Sequence, residues 1–178
     1  MFIDVWWVVG LTIIGILLFV AGLILWFLWP TTLGAVWIPM ARDTIREMLT
    51  MAKVNQQDIV YDLGSGDGRV VLIAAEEFGA TAIGIEVDPL RVLWSRRVIR
   101  RRNLCKTANI IWGNFFHQDL ARATVITVYQ GHEINKRLKP KLASELKSGT
   151  RVISFSFPFE GWTPIQSTEE PRIYLYQI

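Results

Sequence analysis

Three glycines at alternate positions, Gly64, Gly66 and Gly68, lie in the run Tyr61-Asp62-Leu63-Gly64-Ser65-Gly66-Asp67-Gly68-Arg69. The run falls where an apolar strand-like stretch gives way to a helical one, and glycine there lets the backbone approach a ligand closely. Spacing excludes two common nucleotide loops. A P-loop ends in Gly-Lys-Ser/Thr, and the dinucleotide fingerprint reads G-x-G-x-x-G, whereas this chain reads G-x-G-x-G. Eighteen residues after Gly68, Glu86 stands in Gly84-Ile85-Glu86-Val87-Asp88-Pro89 at the end of the next apolar stretch. That is close to the spacing at which an acidic side chain accepts hydrogen bonds from ribose hydroxyls. A glycine turn alone is a weak signal. With Asp62 before it and Glu86 after it, the pattern points to a cofactor that contains a nucleoside.

These residues need strands and helices to hold them, and the chain supplies an alternation. Strands are expected at Ile59–Leu63, Thr81–Val87, Asn109–Trp112, Ala123–Tyr129, Thr150–Phe157 and Arg172–Ile178, with helices at about Arg69–Phe78, Pro89–Asn103 and Glu133–Leu146. Pro140 is expected to bend or divide the last of these. The stretches DIVYDL, TAIGIEV, ATVITVY and TRVISFSF are nearly continuous in apolar residues, as in strands buried on both faces. The expected fold is therefore α/β, a doubly wound, mostly parallel Rossmann-like sheet. Ahead of it Pro39 opens a segment with Ile45, Met48, Leu49 and Ala52 at helical spacing and charges on the other side, an amphipathic helix that packs on the domain.

Composition adds a second part. The chain has 178 residues, 51% of them hydrophobic, and a mean hydropathy of +0.30 although 20% are charged. From Val5 to Trp29 about 25 residues run without a charge. As a helix that is roughly 37 Å, against a hydrocarbon core of about 30 Å. Trp6, Trp7, Trp26 and Trp29 stand at its two ends, where indoles favour the membrane interfaces. No basic n-region and no small-x-small cleavage site accompany it, so the expectation is one uncleaved N-terminal transmembrane helix. All nineteen Lys and Arg follow Trp29, which places the N-terminus outside and the rest in the cytoplasm. The expected organisation is an anchor at 1–30, a linker and amphipathic helix at 31–57, and the catalytic domain at 58–178. Cys105 is the single cysteine, and His117 and His132 are the two histidines, so no disulfide and no metal site is expected.

DLGSGDGR followed by GIEVDP resembles the cofactor motifs of class I, seven-β-strand S-adenosylmethionine-dependent methyltransferases. The resemblance implies that Asp62, Gly64, Ser65, Gly66 and Gly68 cradle the methionine and ribose part of S-adenosyl-L-methionine and that Glu86 holds the ribose hydroxyls. An aspartate often found near the adenine is replaced here by Asn114, in Trp112-Gly113-Asn114, whose amide oxygen can still accept a hydrogen bond. Taken with the anchor, the Pro-led helix and the ending Arg151-Val152-Ile153-Ser154-Phe155-Ser156-Phe157-Pro158-Phe159-Glu160-Gly161-Trp162, the chain is similar to membrane-anchored protein-lysine methyltransferases. Those act on the adenine nucleotide translocase and on the membrane-ring protein of ATP synthase, with prokaryotic relatives. Met40 departs from the small hydroxylated residue that relatives place after the proline.

Methyl transfer to an amine requires alignment and a neutral nucleophile. Holding a lysine neutral at pH 7 costs roughly 4.6 kcal/mol, and an apolar aromatic pocket supplies part of that by desolvation while tolerating a sulfonium. Tyr129, Phe155, Phe157, Phe159 and Trp162 suit such a pocket, although alternating phenylalanines also suit a core. Tyr129 and Trp162 are the better candidates because they sit at strand ends. His132 and Glu133 follow the fourth strand and are candidate proton acceptors. Tyr129-Gln130-Gly131-His132 replaces the Asn-Pro-Pro-Tyr type of loop, which argues against DNA-base methylation. Arg96, Arg97, Arg100, Arg101 and Arg102 lack an aromatic platform or nucleic-acid motif, so they fit a solvated face or anionic headgroups better than nucleic acid. The expected partners are thus the lipid bilayer, through the N-terminal helix, and a lysine on a membrane-associated protein. Two alternatives remain at this point: a lipid-headgroup or small-molecule methyltransferase, and a non-catalytic membrane scaffold that keeps a nucleotide-binding fold.

Overall fold

A computed structural model describes residues 5–33 and 38–178, with side chains for residues 5–25 and 38–178. They form two compact units, divided between residues 36 and 37. The first is α1 (Val5–Leu33), within which Val5–Leu25 has a mean hydropathy of 2.9 and buries nothing. It is long and apolar enough to cross a bilayer. Trp6 and Trp7 are exposed at its start, while the side chains of Trp26 and Trp29 lie outside the described residues.

The second unit is a seven-stranded mixed sheet with helices on both faces. In chain order it contains α2 (Arg42–Met51), β1 (Ile59–Leu63), α3 (Arg69–Glu77), β2 (Thr81–Glu86), α4 (Pro89–Arg101), β3 (Ala108–Trp112), β4 (Val125–Val128), α5 (His132–Glu145), β5 (Arg151–Phe155), β6 (Gln166–Glu169) and β7 (Arg172–Gln177). The strand order is β3-β2-β1-β4-β5-β7-β6. The first five strands are parallel, and β7 pairs antiparallel with both β5 and β6.

Alternation within each strand feeds two cores. Val60, Ala82, Val125 and Ile153 point to the face covered by α2, α3 and α4, where Ile45, Leu49, Val71 and Ile99 meet them. Tyr61, Leu63, Ile85, Ile126 and Val152 point to the other face, against Leu138 and Leu142 of α5. Every residue of β4 is buried, as expected of a strand inside a parallel sheet.

Four features differ from the sequence expectations. β6 reads Gln-Ser-Thr-Glu and is mostly exposed, so no apolar pattern marks it; pairing with β7 makes it a strand. The last parallel strand stops at Phe155 and not Phe157, because Ser156 takes a left-handed conformation with φ 65°. Pro140 does not divide α5, which is a single helix. The amphipathic helix begins at Arg42, since Ala41 is extended, and this leaves the Met40 carbonyl free to accept Arg69 Nη1 at 2.6 Å.

At the outer edge of the sheet Arg96 of α4 donates from Nε and Nη2 to the Ile110 carbonyl of β3, at 2.9 and 2.7 Å. At the amino ends of the strands, Asp58 accepts from Asn55 N (2.9 Å), Thr124 Oγ1 (2.7 Å) and Arg151 Nη2. Arg151 also donates to the carbonyls of Ala52 and Lys53, so one guanidinium joins the chain after α2 to β1 and β5. Arg151→Ala removes the cation from a nearly buried carboxylate. Denaturant unfolding is expected to show a loss of about 3 kcal/mol, with unchanged affinity at the opposite edge of the sheet.

Candidate functional site

The strand order reverses between β1 and β4, and the crevice outside their carboxyl ends is where an open α/β sheet binds ligands. Asp62 lies in that floor, paired in register with Thr127 of β4, whose hydroxyl donates to Asp62 Oδ1 at 2.7 Å. The carboxyl is buried and has no cationic partner among the described residues. Burial pushes its pKa up to about 7; the Thr127 bond opposes the rise, while the charges of Glu86 and Asp67 add to it.

The loop from Gly64 to Gly68 wraps over this floor. Gly64 and Ser65 donate their amides to the Ile85 carbonyl at 2.9 and 3.0 Å. Gly66 donates its amide to Glu86 Oε2 at 2.7 Å, and Asp88 donates to Glu86 Oε1 at 2.8 Å. Glu86 thereby fixes both the loop and the start of α4, with lone pairs left for further donors. Ser95 of α4 donates to the Gly66 carbonyl at 3.3 Å. Two glycines are sterically required. At Gly64, φ is 87° and a Cβ would lie 2.3 Å from Gln130 Nε2; at Gly84, a Cβ would lie 2.5 Å from Ser65 Oγ. Asp67 and Arg69 close the loop's outer side with a forked pair, Nε to Oδ1 at 2.9 Å and Nη2 to Oδ2 at 2.5 Å. Burial alone would raise the Asp67 pKa, but the Arg69 hydrogen bonds and charge bring it below the usual range.

Beyond β4, Gln130 donates to the Leu63 carbonyl at 3.0 Å and bridges the crevice. Its Oε1, Ser65 Oγ and Asn135 Oδ1 are buried with no partner among the described residues. Tyr129, half-buried, meets Phe155 edge to face at 4.7 Å between centroids and stacks on Phe157 at 6.4 Å. The ring of His132, exposed at the start of α5, stands edge-on to Phe157 at 5.1 Å. The left-handed Ser156 turns Phe157 into this group, and the Phe157 carbonyl is fixed by Ser154 Oγ at 2.6 Å and Asn135 Nδ2 at 3.0 Å. Glu133 is exposed in the first turn of α5.

The structure therefore brings Asp62, Gly64, Ser65, Gly66, Gly68 and Glu86 together, and gathers Tyr129, Phe155, Phe157 and His132 at the ends of β4 and β5. It does not bring Trp162 to them. Trp162 packs on Phe159 and Tyr176, at 5.0 and 5.6 Å, on the face of the sheet that carries α5. Asn114 follows β3, but its amide oxygen already accepts Phe116 N at 3.0 Å, capping the 3-10 turn Phe115–His117. Sequence reasoning missed Thr127, Gln130, Ser154 and Asn135. The available signal for two of them was a lone hydroxyl in an otherwise apolar strand, V-I-T-V and R-V-I-S-F.

Comparison with known proteins agrees with this geometry. Residues 62–166 match the model of the ANTKMT methyltransferase domain. A protein-lysine N-methyltransferase of Saccharolobus islandicus is 43% identical over 149 residues, covering 80% of this chain and 92% of that protein. The mouse adenine nucleotide translocase lysine N-methyltransferase is 26% identical over 151 residues, 84% of this chain and 66% of that enzyme. Among solved structures, an RNA methyltransferase of Salinibacter ruber with bound S-adenosyl-L-homocysteine superposes with a TM-score of 0.78 at 35% identity, covering 79% of this chain and 94% of that one.

The buried carboxyl without a cation makes a pH test. Its folded pKa lies above the unfolded value, so a penalty for ionising Asp62 in place grows as pH rises from about 4 to 7 and is full above 7. Without ligand, Asp62→Asn is expected to be more stable than wild type at pH 8 by roughly 2–4 kcal/mol. At pH 4 thermal melts should show little difference.

Proposed function

Because the chain belongs to the ANTKMT methyltransferase domain family, S-adenosylmethionine-dependent protein-lysine N-methyltransferases, we propose that it methylates a lysine of a membrane-associated protein. It is an enzyme, and S-adenosylmethionine is its cofactor. The observation that carries the lysine reading is the aromatic group Tyr129, Phe155, Phe157 and His132 beside the Asp62 crevice.

The residues fit the cofactor. A cation is what the buried Asp62 lacks, and the glycines at 64, 66 and 68 let the loop backbone approach a polar ligand closely. In this reading Asp62, Gly64, Ser65, Gly66 and Gly68 hold the methionine and ribose part, Glu86 accepts the ribose hydroxyls with its remaining lone pairs, and Asn114 lies toward the adenine. When bound, the cofactor supplies a methyl group on a positively charged sulfur.

The chain's own contribution is alignment and desolvation. Tyr129, Phe155 and Phe157 exclude water from an incoming ammonium, which lowers its pKa, and their faces tolerate positive charge. His132 on the rim of that group is placed to take the released proton, directly or through water, and Glu133 lies next to it in the chain. Trp162, in its separate cluster, shapes the chain between β5 and β6.

For location, we read 1–30 as an anchor spanning the bilayer with its N-terminus outside, 31–57 as linker and amphipathic helix, and 58–178 as a cytoplasmic catalytic domain. The Val5–Leu25 helix and the nineteen Lys and Arg that follow Trp29 support this. Tethering raises the effective concentration of membrane proteins at the site.

Incubating cell membranes with the full chain and methyl-labelled cofactor, then separating protein, lipid and RNA, tests the substrate class. Label is expected in protein as methyl-lysine; label confined to lipid would favour a headgroup substrate, and label confined to RNA would favour the Salinibacter likeness, either sinking the lysine reading. Glu86→Ala and Asp62→Ala are each expected to weaken S-adenosylhomocysteine binding at least tenfold by calorimetry, in protein that keeps its circular dichroism. Unchanged affinity in both would show the site is misplaced.

A further inference from the structure

Among the described residues outside α1, six large apolar side chains are exposed, and four of them are Leu90, Leu93 and Trp94 of α4 and Trp112 at the end of β3. The three on α4 are each 59% exposed and Trp112 is 63% exposed. Leu90, Leu93, Trp94, Arg97 and Arg101 follow helical spacing along one face, with Arg100 on the same side two turns beyond Leu93, while Val92, Ser95 and Ile99 are buried on the other. The exposed face is divided along its length: apolar in the first half, cationic in the second. Arg96 and Arg102 are engaged with Ile110 O and Glu76, but Arg97, Arg100 and Arg101 are exposed and form no ion pair among the described residues. Trp112 joins the apolar half through its Nε1–H, which donates to the Val87 carbonyl at 3.0 Å, just before α4 begins.

We propose that this face of α4, with Trp112, is a docking surface for an anionic lipid bilayer. An apolar cluster on a soluble face marks an interaction site, and the arrangement of this one matches a membrane interface. Leu90 and Leu93 reach the acyl boundary, the indoles of Trp94 and Trp112 sit at headgroup depth, and the arginines further along the helix meet lipid phosphates. RNA would satisfy the arginines and stack on the indoles, but it offers nothing to two exposed leucines. The apolar end is also the site's end. Glu86 holds the Asp88 amide that precedes α4, so docking here turns the carboxyl edge of the sheet, with Asp62 and the Tyr129 group, toward the membrane surface. The inference rests on the proposed span only for bringing the bilayer near.

The test uses the full chain with Cys105→Ser, carrying one nitroxide at a time at Leu93→Cys, Ile14→Cys or Ser144→Cys, in phosphatidylcholine vesicles with or without phosphatidylglycerol. Accessibility to oxygen and to a water-soluble nickel complex reports depth by electron paramagnetic resonance. The label at 93 is expected in lipid when phosphatidylglycerol is present, and in water without it or with Arg97→Glu, Arg100→Glu and Arg101→Glu combined; the label at 144 stays in water throughout. A label at 93 that remains in water beside phosphatidylglycerol overturns the proposal. So does one immobilised without lipid by added transfer RNA or by raising the protein concentration, which would assign the face to RNA or to a second copy. The label at 14 reads the span separately, so its failure to enter lipid counts against the anchor and not against α4.

Discussion

A carboxylate buried at the crossing point of a parallel sheet needs compensation, and Asp62 receives only part of it. Thr127 supplies one hydrogen bond, while Glu86 and Asp67 make the local field more negative. Much of the surrounding design follows from keeping that carboxyl in place. The glycine loop must pass over it without a side chain at 64, Gln130 must reach across from β4 to Leu63, and Gly84 must leave room for Ser65. Ser65 Oγ, Gln130 Oε1 and Asn135 Oδ1 are also buried without a partner among the described residues. A positively charged ligand in the crevice would favour the ionised form of Asp62.

The sequence made the fold and the cofactor half of the site legible because both are local. Nearly continuous apolar runs, glycines at fixed offsets and an acid at a strand end are short-range patterns that survive without tertiary information. Residues joined across strands were much less visible. Thr127 matters because register sets it opposite Asp62, and Gln130 because the turn after β4 folds back onto β1. β6 carries no pattern at all: its four residues are polar, and it is a strand only because β7 lies beside it.

The aromatic residues show the same division more sharply. Tyr129, Phe155, Phe157, Phe159 and Trp162 share one chemistry in the sequence, yet they fall into two separate groups. What separates them is backbone: Ser156 in a left-handed conformation, with Ser154 and Asn135 holding the Phe157 carbonyl, turns Phe157 toward Tyr129. After that turn Phe159 and Trp162 run to Tyr176 and the other core. Side-chain type therefore proposed a pocket, and one unusual φ angle decided its membership.

The two borders of the sheet bear on how copies of the chain meet one another. Open strand edges are templates for pairing with a neighbour. At β3 a guanidinium occupies the Ile110 carbonyl, and at β6 the border is a short, polar, four-residue strand that ends in Glu169. Both borders are thus blunted against sheet-to-sheet association, which would keep crowded copies separate and their crevices open to substrate.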